Sequence, residues 1–278
     1  MPLTLSFGLR LIREIFMQTF WTLASASALA LTMGTSAAFA DDMVVKFGVA
    51  AEPYPPFTVK GADGKWSGWE VDLRDAVCKE IKAKCEWVDT AWDGIIPALV
   101  AKKFDVIWSS MTITEERGKT IAFTDKYYKT GVAVLATKGS SFKPDPEGLT
   151  GKILGAQVST TQLDYANKYF KGVVKELKTY QTQDEVNQDL AAGRIDAQVV
   201  DSIPGRDFVA SDAGKACCVY LGDVKDDVAL LGPGTGAGLR KEDNELREKI
   251  NAAIKKIRAS GEYDTITKKY FNFDLYGG

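Results

Sequence analysis

Two stretches of this chain, Ala101-Lys102-Lys103-Phe104-Asp105-Val106 and Ala192-Gly193-Arg194-Ile195-Asp196-Ala197, carry one pattern: a helix end turning directly into a strand. A chain that builds this turn twice is set up to fold into two similar lobes. Strand and helix signals alternate around both copies. Val44 to Val49 reads as a strand, followed by Glu52-Pro53-Tyr54-Pro55-Pro56-Phe57 and a Gly-rich turn at 61–64. Leu73, Val77 and Ile81 recur at helical spacing, Ile95–Val100 reads as a helix, and Phe104–Trp108 and Val132–Ala136 read as strands. A second series runs through the strand Lys152–Ala156, helices Gln162–Phe170 and Gln183–Ala192, and the strand Asp196–Val200. Near the end Leu246, Ile250, Ile254 and Ile257 share a helix face opened by Asp243-Asn244. The alternation predicts α/β lobes with largely parallel sheets. At 278 residues there is chain enough for two cores. No low-complexity linker separates the series, so extended strands are expected to carry the chain between lobes.

Composition narrows the function. Histidine is absent, which removes the commonest general base, His-dependent nucleophile triads and imidazole-based zinc sites. A net charge of −2 supplies no broad attraction for nucleic acid or an anionic membrane. No metal or cofactor is expected. At the N-terminus, Arg10 and Arg13 precede an apolar run from Phe20 to Leu31 and then Ala38-Phe39-Ala40. That order reads as a secretory signal peptide, residues 1–40, cleaved after Ala40. The run is short and rich in Ala, Ser and Thr, which disfavours a membrane anchor. The expected product is an exported, periplasmic monomer.

Export permits disulfides. Cys78 and Cys85 sit where a bridge would tie the end of the first helix to the strand entered at Glu86-Trp87-Val88. Cys217 and Cys218 are adjacent; a bond between neighbours would be strained, so reduced or buried thiols are expected in preference to a redox switch.

Ligands in open α/β sheets bind beyond the carboxyl ends of strands. Ser109-Ser110-Met111-Thr112-Ile113-Thr114-Glu115-Glu116-Arg117 follows such an end. Thr114-Glu115-Glu116 looks like a helix start, where the dipole disfavours a cation, so Arg117 wants an anion that its planar fork can grip. The alternative is a solvated arginine paired with Glu115 or Glu116. Ser159-Thr160-Thr161-Gln162 follows another strand and opens a helix, as an anion seat or as a plain N-cap. Asp201 ends a strand where it can meet an ammonium group or serve as a turn residue. Tyr54 and Trp92 are placed to clamp an aliphatic chain or to pack in a core.

Three stretches together carry a resemblance: Ser109–Arg117 with Ile121-Ala122-Phe123-Thr124, Gly193–Ala197 with Asp201, and Gly236-Ala237-Gly238-Leu239-Arg240-Lys241-Glu242-Asp243. From about Met43 to Gly278 the chain resembles the bacterial periplasmic binding proteins for polar amino acids that feed ABC importers, particularly the lysine/arginine/ornithine and histidine binders. Cys78 and Cys85 match that subgroup's disulfide. The resemblance implies two Rossmann-like lobes joined by two crossing strands, with lobe 1 formed by 41–130 and 231–278 and lobe 2 by 131–230. The lobes would close on one amino acid and deliver it to an inner-membrane ABC permease.

Carried over by position, Arg117 would hold the ligand carboxylate together with the backbone amides of Thr112 and Thr161. Asp201, the Ser110 carbonyl and the Thr112 hydroxyl would take the ammonium. Tyr54 and Trp92 would sandwich the side chain, with Ser109 near its tip. The cationic-amino-acid binders carry an aspartate where this chain has Ala51; the neighbouring Glu52 reaches the ligand by a shifted register or faces solvent. Gln157 replaces an apolar lining residue, and Thr160 completes the candidate wall. These features point to a basic or polar amino acid, or an opine-like conjugate. The expected role is binding and not catalysis. The alternative is a periplasmic cyclohexadienyl dehydratase on the same fold, which would need a placed general acid.

Overall fold

A computed structural model describes residues 43–277. The signal-peptide reading of residues 1–40 lies outside them. The first half contains β1 (Met43–Ala50), the hairpin β2 (Val59–Lys60) and β3 (Trp66–Ser67), α1 (Trp69–Ile81), β4 (Ala83–Thr90), α2 (Ile95–Val100), β5 (Val106–Ile107), α3 (Glu115–Gly118) and β6 (Ala122–Phe123). The chain then crosses to β7 (Val132–Thr137), β8 (Ile153–Gln157), α4 (Thr161–Tyr169), β9 (Glu176–Tyr180), α5 (Gln183–Ala191), β10 (Ala197–Asp201), α6 (Ser202–Ala210), α7 (Asp212–Cys217) and β11 (Cys218–Asp223). After α8 (Val228–Leu231) it returns through β12 (Gly238–Leu239) to α9 (Asn244–Ala259) and α10 (Glu262–Thr267).

Two five-stranded sheets result, ordered β4-β1-β5-β12-β6 and β11-β7-β10-β8-β9. In each, the lobe's first parallel strand lies between the second and third: β1 between β4 and β5, β8 between β9 and β10. The expectation of largely parallel sheets needs one correction. β12 runs antiparallel to β5 and β6, and β7 runs antiparallel to β10 and β11. Both follow directly on a crossing, so they enter their sheets in the opposite sense to their neighbours. The two crossings touch at Tyr128 and Thr235, where the Thr235 amide donates to the Tyr128 carbonyl at 2.9 Å.

The helix periodicity has a direct counterpart in packing. α1 buries Trp69, Leu73 and Val77 against Phe47 and Trp108 of the first sheet, and α9 adds Ile250, Ile254 and Ile257 to the same core. Each such side chain contributes roughly 1.5–3 kcal/mol on burial. Gly68 precedes α1 with φ 125°, and a Cβ there would lie 2.3 Å from the Phe57 carbonyl oxygen, so only glycine allows this close approach. The second lobe has its own cores, one around Val134, Leu154 and Phe170 and another around Leu135, Val186 and Ile195.

Cys78 and Cys85 are bonded, with Cα atoms 6.2 Å apart, and tie the last turn of α1 to β4. The expectation for the other pair is overturned: Cys217 and Cys218 also form a disulfide, and no free cysteine is present among the described residues. Their shared peptide is the point where α7 gives way to β11, with Cys218 extended at φ −137° and ψ 161°, and this helix-to-strand change lets neighbouring sulfurs meet.

Candidate functional site

The carboxyl ends of six strands converge on one cavity between the sheets. Ala50 ends β1 and leads to Glu52 and Tyr54; Trp92 follows β4, and Ser109 to Arg117 follow β5. From the other lobe come Gln157 with Thr160 and Thr161 after β8, Gln183 after β9, and Asp201 at the end of β10. All eleven residues singled out as the candidate site line this cavity. Gathering them at the switch point of each sheet is what the strand order dictates.

Arg117 does not take the plainer of the two options that the sequence left open, a solvated ion pair with its helix neighbours. It forms no bond with Glu115 or Glu116; its Nη1 donates to the Thr112 carbonyl at 2.9 Å and its Nη2 to the Ser159 carbonyl across the cleft at 3.0 Å. Thr114 caps the short α3, accepting from the Arg117 amide, and thereby sets where the side chain begins. The guanidinium carbon lies 5.5 Å from the centre of the Trp92 ring, and Trp92 Nε1 donates to the same Ser159 carbonyl at 3.2 Å. Burial lowers the Arg117 pKa to about 10, opposed by Asp164 and Asp201, so it stays cationic at neutral pH.

Asp201 is buried, and its two oxygens accept from the Tyr54 hydroxyl of lobe 1 and the Gln162 amide of α4. Burial pushes its pKa up to about 6, although both hydrogen bonds and Arg117 act to lower it. Tyr54 also stacks on Phe57, 6.1 Å between ring centres. At the far end, Glu52 accepts from Gln157 Nε2 at 2.6 Å and from the Gln183 backbone amide at 2.9 Å, both in lobe 2. Burial raises its pKa, countered by those two bonds. Glu52 faces the opposite lobe and lines the cavity wall.

The loops after β5 and β8 share a device. Ser110 and Ser159 both adopt left-handed backbone, φ 53° and 59°, which non-glycine residues rarely do. Such strain persists only where surroundings over-determine it. At Ser110 the holder is Glu70, which is fully buried and accepts from the Ser110 amide at 2.8 Å, the Ser110 hydroxyl at 2.9 Å and the Tyr127 hydroxyl. Burial raises Glu70 to about 7 against these three bonds. Thr160 caps α4 through the Leu163 amide, so it is a cap and a wall residue at once.

Sequence reasoning missed Glu70, Gln162 and Gln183. A Glu in the first turn of a helix and two Gln in first turns carry no local mark of an inward role; Gln162 was visible only as a neighbour of Thr160 and Thr161. Among the described residues no group of three or more Cys, Asp or Glu side chains is placed to hold a metal ion.

Comparison with known proteins follows the same lines. Residues 45–273 match the model for bacterial extracellular solute-binding proteins, family 3. The chain is 43% identical over 256 residues to an L-arginine-binding protein of Pseudomonas aeruginosa, covering 92% of this chain and 98% of that one. It is 40% identical over 258 residues to a histidine-binding periplasmic protein of Salmonella typhimurium, covering 92% and 99%. Among solved structures, an ancestral arginine-binding protein bound to arginine superposes with a TM-score of 0.74 at 35% identity, covering 82% of this chain and 98% of the other.

Proposed function

Because this chain belongs to family 3 of the bacterial extracellular solute-binding proteins, we propose that its cavity captures a free basic amino acid by lobe closure. The observation that carries the reading is a charge count. The cavity wall holds two carboxylates, Glu52 and Asp201, against one guanidinium, Arg117. A zwitterion with a neutral side chain leaves the Glu52 carboxylate with two hydrogen-bond donors but no counter-charge. A basic amino acid brings one carboxylate and two cations and balances the site. Its carboxylate goes to Arg117, its ammonium to Asp201 and its side-chain cation to Glu52, with Tyr54 and Trp92 flanking the aliphatic stem. An opine adds a second carboxylate with no cation to receive it.

The moving bodies are 41–130 with 231–278 and 131–230. Closed, they present the bound amino acid to the permease of an ABC importer in the periplasm, after cleavage of the leader behind Ala40. The relatives named above are binding proteins, and the protein is a binding protein and not an enzyme. Turnover of prephenate by the purified protein would reverse that assignment.

A thermal-shift and calorimetry panel tests the ligand class. Arginine, lysine and ornithine are expected to raise the melting temperature, by an amount equivalent to about 2.7 kcal/mol at a hundredfold excess over Kd. Citrulline, glutamine, octopine and nopaline are expected to do so less. A neutral amino acid or an opine as the tightest ligand overturns the reading.

A further inference from the structure

Glu52 is the cavity's one carboxylate whose mapped partners all come from the opposite lobe. Its chain position is in lobe 1, after β1, yet Oε1 is held by Gln157 at the end of β8 and Oε2 by the backbone N–H of Gln183, the first residue of α5. The second contact uses a donor that a helix leaves free in its first turn. α5 supplies its own capping box for the Glu185 and Thr182 amides, and so the Gln183 amide remains for a group from across the cleft. A carboxylate accepts about four hydrogen bonds in all, so two donors leave room for a ligand group. Opening the cleft separates Glu52 from both donors.

We propose that Glu52 is a closure latch, and that Gln183 and Gln157 are its positioning residues. Only when the lobes meet is its carboxylate fixed for the ligand's distal cation, so the choice between cationic and neutral side chains is exercised at closure. This inference rests on the basic-amino-acid reading above.

The test isolates one N–H. Gln183→Pro removes the amide hydrogen at a first helical position, where proline is tolerated, and Thr182 before it is already extended at φ −125° and ψ 154°. Gln183→Ala removes the same side chain, with its bonds to Gln198 and Asn187, but keeps the amide. Calorimetry then measures the ratio of affinities for arginine and citrulline, which differ in charge at nearly equal shape. The ratio is expected to fall about tenfold in Gln183→Pro relative to Gln183→Ala, and likewise in Glu52→Gln. A purely structural role would weaken both ligands alike and leave the ratio in place. Equal ratios in the Pro and Ala variants, with the wild-type preference intact, overturn the latch alone. Absence of any preference in the wild type overturns the latch and the ligand class together. Should Gln183→Pro fail to fold by circular dichroism, Gln157→Leu replaces it, with the same fall expected and an unchanged ratio again overturning the proposal.

Discussion

At position 201, burial and hydrogen bonding pull a carboxylate in opposite directions, and burial wins by enough to place its pKa at about 6. A ligand ammonium favours the ionised form, so binding pulls this pKa down. Affinity is therefore expected to be flat above about pH 7 and to fall by up to about tenfold per unit below pH 6, with a proton released on binding near pH 6. Calorimetry in buffers of different ionisation enthalpy reads both quantities; a flat profile from pH 5 to 8 would show that Asp201 does not meet the ammonium. Removing either charged partner leaves a buried ion alone, so Arg117→Ala and Asp201→Asn are each expected to cost about 3–5 kcal/mol of binding free energy in titration calorimetry. Sequence pattern alone singled out the segments that follow strand ends, Ser109 to Arg117, Ser159 to Gln162 and Asp201, together with the aromatics Tyr54 and Trp92. Glu70 was not, because it acts on a serine forty positions along the chain. Its own neighbourhood reads as an ordinary acid at a helix start, a place that favours one.

Among the elements, apolar pattern more than length decided what could be read: the six-residue α2 is legible as Ile95–Val100 and the two-residue β5 lies within the apolar run Phe104–Trp108. α1 and α9 run long enough for their periodicity to show, and α4 and α5 end within about one residue of the expected Gln162–Phe170 and Gln183–Ala192, inside the normal scatter of helix ends. The hairpin β2–β3 and the two-residue strands β6 and β12 are too short to carry a period. α6 contains Pro204 and Gly205, which argue against a helix in sequence; it tolerates them because Pro204 falls in the first turn, where the missing N–H has no intrahelical partner to lose. The two disulfides also divide by element. Cys78–Cys85 spans seven positions and joins a helix to a strand, whereas Cys217–Cys218 links neighbours that the backbone already ties. On the chain-entropy relation, replacing the first pair by Ala is expected to cost about 2.5 kcal/mol in denaturant unfolding and the second about 1 kcal/mol. A larger loss from the second pair would refute this ranking.

For the molecule as a whole, the repeated helix-to-strand turn foretold two alike lobes, and the strand orders show the likeness: each lobe's first parallel strand sits between its next two. The single antiparallel strand in each sheet was not foreseeable from local pattern, since it depends on where the chain returns from the other lobe. Closure is written in the contacts that span the cleft: Tyr54 to Asp201, Glu52 to Gln157 and Gln183, and Arg117 and Trp92 to Ser159. A crystal structure of the protein with arginine tests the account most directly. The α-carboxylate should lie on the Arg117 guanidinium, the α-ammonium within hydrogen-bond reach of Asp201, and the ligand guanidinium against Glu52. Arginine bound outside this cavity, or reversed within it so that its carboxylate leaves Arg117, would contradict the account.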